Sequence, residues 1–229
     1  MEFEQAYRLT QILTSLAFIQ QSLEHIRRYR NEIIIFSLRI IFSLILLSGS
    51  YTGFSLIALF IIALLMLTRF QGPYNGGADR MSLLVLSCLC LVQILPDRYW
   101  QEVAFGYLAL QLVLSYSIAG WVKLINPEWR SGQALSDVFE FSVYPVSESL
   151  RRLSGFHHLL VIFSWLVILF ELLFPFSLLF QQSLIVALTC AAIFHFSNAC
   201  FFGLNRFLWI WIAAFPSILW LQDRLVQHL

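Results

Sequence analysis

Charge is scarce in this chain. Only 12% of its 229 residues are charged and 59% are hydrophobic, whereas soluble domains carry roughly a quarter charged residues and about half apolar ones. The apolar residues also fall in long, nearly charge-free blocks, which excludes an ordinary water-soluble fold. Charge of one sign is missing too. Lysine and arginine number 14 against 13 acidic residues, for a net charge of +1, and no basic stripe stands out. Strong electrostatic attraction to nucleic acid is excluded on that ground. The four cysteines, Cys88, Cys90, Cys190 and Cys200, all lie inside apolar segments. The Cys88-x-Cys90 spacing is neither a zinc knuckle nor a CxxC redox pair, so free thiols and no metal are expected. The first thirty residues contain no long apolar run, which argues against a signal peptide. No low-complexity tract or internal repeat appears.

What the chain has in quantity is spans. A bilayer core about 30 Å thick needs about 20 helical residues, and seven apolar stretches come close: Ile33–Ser48, Phe54–Thr68, Met81–Leu95, Val103–Ile125, His158–Phe180, Leu184–Phe202 and Phe207–Leu221. Glycine and proline punctuate the breaks, at Gly49 and Gly53, Gly72-Pro73, Pro96 and Gly203. The fold class is therefore an all-α integral membrane protein with about seven transmembrane helices. Six remain if one short stretch is re-entrant or tilted.

The arginines orient the spans. Arg27, Arg28 and Arg30 precede the first; Arg69 and Arg80 flank the loop after the second; Arg130, Arg151 and Arg152 follow the fourth, and Arg206 the sixth. With seven spans all of these fall on one side, while the opposite loops hold only Arg98, and Arg224 follows the last span. Basic loops stay inside, so the N-terminus is expected in the cytoplasm and the C-terminus outside. Residues 1–30 carry Leu9, Ile12, Leu13, Leu16, Ile19, Leu23 and Ile26 at helical spacing. They read as an amphipathic helix lying along the inner membrane surface, or packed against the loops of its own bundle. The membrane domain then covers 31–229, with one longer cytoplasmic connection at 126–157. That connection should carry short helices capped by Ser131 or Ser136 and could cover a pocket mouth as a lid.

Ionisable groups inside spans are expensive, so each is a functional candidate. Glu171 lies well inside the fifth span, and Pro175 four residues later frees its carbonyl from the usual helical partner. His195 is deep in the sixth span, with Asn198 three residues on along the same face. Lys123 nears the end of the fourth span, after Tyr116 and Gly120. Asp79 opens the third. Each has a plainer reading: Lys123 snorkelling to the interface, His195 bonded to a carbonyl, Asp79 as an N-cap, and Glu171 in a structural ion pair. Taken together, a lysine, a carboxylate and a histidine on three spans suggest one buried proton-handling pocket. Counting depths from the cytoplasmic ends of the spans separates Lys123 from the other two by roughly 10 Å or more, which favours a lined tunnel over a direct salt bridge.

The run Tyr116-Ser117-Ile118-Ala119-Gly120-Trp121-Val122-Lys123-Leu124, with Pro127-Glu128-Trp129-Arg130-Ser131-Gly132 after it, resembles the membrane domain of vitamin K-dependent gamma-carboxylases. It resembles their small bacterial relatives, the HTTM proteins, more closely still. The loop Tyr74-Asn75-Gly76-Gly77-Ala78-Asp79, the Glu171-to-Pro175 segment, and Phe194-His195 with Asn198 follow in family order. The likeness extends over roughly Ile33 to Leu221. Where the carboxylase has a histidine in its asparagine-rich turn, this chain has Ala78 and Asp79.

The resemblance implies a multi-pass protein of the bacterial cytoplasmic membrane, with Lys123 as a general base. An apolar site disfavours the ammonium form of a lysine and so suits it to that role. Glu171 and His195 would tune the base. Asn198, Tyr116, Asp79 and Trp129 would contact the substrate or cosubstrate. The implied cosubstrate is a reduced, vitamin K-like quinone arriving from the bilayer. The implied context is modification or maturation of a peptide, or work on a partner protein encoded nearby. The other class of reading is a non-enzymatic membrane component that binds a quinone, lipid or peptide and assists such a partner.

Overall fold

The computed structural model of the protein describes residues 1–28, 32–69, 76–142 and 146–227. Among these the regular structure is all helical: α1 (Phe3–Arg28), α2 (Ile33–Ser48), α3 (Thr52–Arg69), α4 (Gly76–Ile94), α5 (Arg98–Ile125), α6 (Pro127–Arg130), α7 (Gln133–Phe141), α8 (Glu148–Arg151), α9 (His157–Leu173), α10 (Gln181–Phe202) and α11 (Asn205–Gln227). Tight 3₁₀ turns follow α8 and α9. The seven apolar stretches coincide with α2, α3, α4, α5, α9, α10 and α11. Among the described residues, four segments are long and apolar enough to cross a membrane: Gly77–Ile94, Arg98–Ile125, His157–Leu179 and Gln181–Phe202. Ile33–Ser48 and Thr52–Leu67 are apolar but shorter. This is an all-α membrane protein.

The chain forms two compact units, Met1–Leu110 with Asn205–Leu229, and Gln111–Leu204. In the first unit, α1 runs antiparallel to α11. Near its start, Glu4 pairs with Arg98, and the Met1 amine with Asp223 late in α11. Near its end, Glu24 accepts a bond from Asn205 (3.3 Å) and His25 meets Arg206 (2.9 Å) at the beginning of α11. The Met1 amine and Asp223 therefore lie at the same end of the first unit. The α1 helix is thus packed on α2 and α11 within the first unit.

The faces of α1 explain why. Ala6, Thr10, Thr14, Ala17 and Gln21 are buried, while Leu9, Leu16 and Leu23, seven residues apart, are 40%, 42% and 51% exposed. Small and polar residues point in and leucines point out. Small inward residues let backbones approach closely, as between membrane helices. Some of the inward polar groups are bonded locally or across: Thr10 to the Ala6 carbonyl (2.9 Å) and Tyr7 to the Leu89 carbonyl (3.1 Å). Arg8 donates to the Leu46 and Leu47 carbonyls (2.9 and 2.6 Å) in the last turn of α2, where carbonyls run out of helical partners; Leu46 also accepts from the Gly49 amide.

In the second unit, the connection after α5 runs back along α9. Asn126 caps α6, accepting from the Glu128 amide (2.9 Å), so the cap is neither of the two serines expected. Ser164 donates to the Trp129 carbonyl, and the Trp165 indole to that of Arg130 (3.1 Å). A Cβ at Gly132, whose φ is +79°, would sit 2.9 Å from the Val161 amide nitrogen. Farther on, the Val146 amide bonds the Phe201 carbonyl of α10 (3.0 Å). These contacts fasten the connection to α9 and α10. The α9 helix ends at Leu173, two residues before Pro175, and tightens into a 3₁₀ turn over Phe174–Leu179.

Candidate functional site

The second unit brings five of the singled-out residues together on α5, α9, α10 and the connection. On α5, Tyr116, Gly120 and Lys123 stand at successive turns of one face, by the three- and four-residue spacing of a helix. The Lys123 amine donates to both Glu171 carboxylate oxygens, at 2.9 and 2.7 Å. The Glu171 side chain is 4% exposed and that of Lys123 16%. This is the direct salt bridge that counting depths had disfavoured. The count assumed that helices begin at one level. Instead the first turns of α9 run beside α6 and Gly132, so Glu171, fourteen residues in by sequence, is level with the end of α5.

Trp129 completes this group, its ring centroid 5.1 Å from the Lys123 amine, within cation–π range. A second polar pair lies farther along α5. The Tyr116 hydroxyl shares a hydrogen bond with Nε2 of His195 (2.9 Å), and both side chains are buried. Phe174 and Phe170 flank the Tyr116 ring, at 4.2 and 5.6 Å between centroids. Asn198, half-buried one turn past His195, contributes its carbonyl to closing α10, accepting from the Gly203 amide. Asp79 belongs to the first unit. It lies in the first turn of α4, which already begins at Gly76, and so is not the helix cap; it pairs with Arg206 at 3.8 Å. Tyr74 and Asn75 lie outside the described residues.

The HTTM domain matches residues 97–222, more than half of the chain. The chain belongs to the HTTM family. No curated protein and no solved structure matches it. The HTTM match begins one residue before α5 and takes in Tyr116, Lys123, Trp129, Glu171, His195 and Asn198, while Asp79 falls outside it.

Three features of this HTTM chain escaped sequence reasoning. Of the 14 lysines and arginines, Lys123 is the only lysine; a simple count by residue type would have shown it. Gly120 is the point where α5 and α9 touch: a Cβ there would lie 2.8 Å from the Leu172 amide nitrogen and 2.9 Å from the Glu171 Cβ. Arg39, in the middle of α2, is only 4% exposed, donates to Gln21 (3.0 Å), and lies over the Phe18 ring at 4.0 Å. Its place inside an apolar stretch was the available signal.

As ions, Lys123 and Glu171 attract, but burial opposes both charges.

Proposed function

We propose that this HTTM protein is a membrane enzyme in which Lys123 is the general base acting on a reduced quinone or another lipid-soluble molecule, in modification or maturation of a peptide. The observation carrying this reading is the placement of the only lysine against a buried carboxylate. Elsewhere the chain uses arginine, which does not give up its proton; lysine does so readily when desolvated. Glu171 takes the ammonium proton, and the freed Nζ lone pair can then accept one from an O–H of the bound molecule. Trp129 beside the amine offers a flat apolar face suited to a planar ring. A reduced quinone, when bound, would supply acidic hydroxyls and reducing electrons. The Tyr116–His195 pair and Asn198 would serve as polar anchors.

The orientation belongs to the same proposal. The end of the first unit that carries Arg27, Arg80 and Arg206 faces the cytoplasm by the positive-inside rule, in a bacterial cytoplasmic membrane. The start of α1 then lies on the other side with Arg98 and Asp223.

The test uses the purified full chain with a reduced naphthoquinone and oxygen, following hydroquinone loss. General-base catalysis contributes about 10²–10⁴-fold, so Lys123→Met and Lys123→Arg should both lose at least about 100-fold. An arginine variant with the full rate would sink the base assignment. A second reading rests on the same contact seen as a clamp, since the pair ties α5 to α9. In that reading the protein binds a quinone, lipid or peptide and assists a partner without catalysis. Arginine can hold a carboxylate bidentately, so the clamp reading expects Lys123→Arg to support the partner as the wild type does.

A further inference from the structure

We infer that Gly120 is a positioning residue: its missing side chain sets the Lys123–Glu171 distance by allowing α9 to lie directly on α5. The inference rests on the reading of that pair as the working site. Glycine is among the poorest helix formers, yet Gly120 sits well inside α5 with an ordinary helical backbone. No turn or positive φ requires it, so its reason is space. A Cβ would meet the Leu172 amide nitrogen at 2.8 Å, the Glu171 Cβ at 2.9 Å and the Leu172 Cγ at 3.0 Å. Two of those atoms cannot swing aside, because one is backbone and one is fixed to it. The helices would have to part, and they would part at Glu171 itself.

The rest of the interface makes this contact decisive for register. The segment from Gly120 to Gly132 runs antiparallel to α9, with Gly120 against Glu171 and Leu172, Trp129 against Ser164, and Gly132 against Val161. Lys123 lies between the two glycine contacts. With the far end held by Gly132, separation at residue 120 tilts α9 away where the carboxylate is needed. Gly106, in the same helix, offers the control: a Cβ there meets only the Trp220 ring, at an ordinary 3.6 Å.

Because Lys123 is the only lysine, protein grown with ¹⁵N,¹³C-lysine reports the site through a single side-chain NMR signal. Its chemical shift and pH titration should change on Glu171→Gln, which removes the ionic partner. Gly120→Ala should shift that signal in the same direction and reproduce its altered titration, while Gly106→Ala should leave both at wild-type values. In the Glu171→Gln background, adding Gly120→Ala should produce little further change. A folded Gly120→Ala protein with the wild-type signal and titration overturns the inference. Should Gly120→Ala not fold, Gly120→Ala/Leu172→Gly removes the side-chain part of the clash and loosens the facing backbone. It should still lose the paired signal, and retention would overturn the inference. The readout is the pair and not turnover, so an active Lys123→Arg would defeat the base assignment while leaving this result standing.

Discussion

Arg206 donates a hydrogen bond to Nδ1 of His25 at 2.9 Å, and that contact decides where the imidazole proton sits. A guanidinium has no acceptor, so Nδ1 must be the lone-pair nitrogen, and Nε2 carries the hydrogen given to Glu32 at 2.8 Å. His25, in the last turn of α1, is therefore neutral, stacked on Phe36 at 4.0 Å between ring centroids. Protonation would put a hydrogen on Nδ1 facing a cation.

Stability should consequently fall in mild acid. Burial first, with the Arg206 and Arg39 charges adding to it, holds His25 below its ordinary 6.5, against the opposing pull of Glu32. Among the described residues, Asp79 also faces this corner, paired with Arg206, and Glu24 accepts from Asn205 beside it. The unfolded chain then takes up the proton before the folded one does. Stability is complete above about 6.5 and declines as pH falls through the lower folded value. Thermal unfolding of the purified protein between pH 7.5 and 5 measures the slope, and His25→Gln should flatten it. An unchanged slope in that variant would assign the effect to other groups.

Breaking the buried pair from one side should be worse than removing it. Glu171→Leu leaves the Lys123 charge without its partner, at a cost of about 3–5 kcal/mol for a fully buried pair. The partial exposure of Lys123 puts it near the lower end. Lys123→Met/Glu171→Leu should recover most of that loss. Denaturant titrations of the single and double variants in micelles would show it, and additive losses would contradict the coupling.

The α1 helix should cross the bilayer with its leucine ridge in lipid. Leu16→Arg then places a charge at mid-span, costing roughly 2.5–3.5 kcal/mol on insertion scales. On a water-facing helix the same change would be almost neutral. Cysteines placed at Glu2 and at Asp223, in a chain freed of its own four, should be labelled by an impermeant maleimide from one side, and at Arg27 from the other. Labelling of Glu2→Cys together with Arg27→Cys would rule out the crossing.

Arg39 should depend on Gln21. Gln21→Leu removes the acceptor of a buried guanidinium, and bonds to charged groups are worth about 1.5–3 kcal/mol. The double change Gln21→Leu/Arg39→Met should be less damaging than Gln21→Leu alone, as read by the unfolding midpoint.

Hydropathy located the seven apolar helices closely, because lipid imposes a length and a composition that few residues can disguise. It said less about α1. A seven-residue leucine ridge is equally readable with its polar face toward water or toward partner helices, and only the packing of Thr10, Thr14 and Gln21 decides which. The site residues on α5, α9 and α10 were visible as ionisable groups in apolar surroundings. Their distances were not, since the level at which α9 begins depends on how residues 127–132 fold back along it. Arg39 was overlooked for a related reason: one arginine in an apolar run looks the same whether it reaches for the surface or for Gln21.

The polar inner face of α1 also bears on how the protein is made. Ribosomes deliver α1 well before α11. Until α11 arrives, Thr10, Thr14 and Gln21 have only part of their final cover, and hydrocarbon offers them nothing to bond.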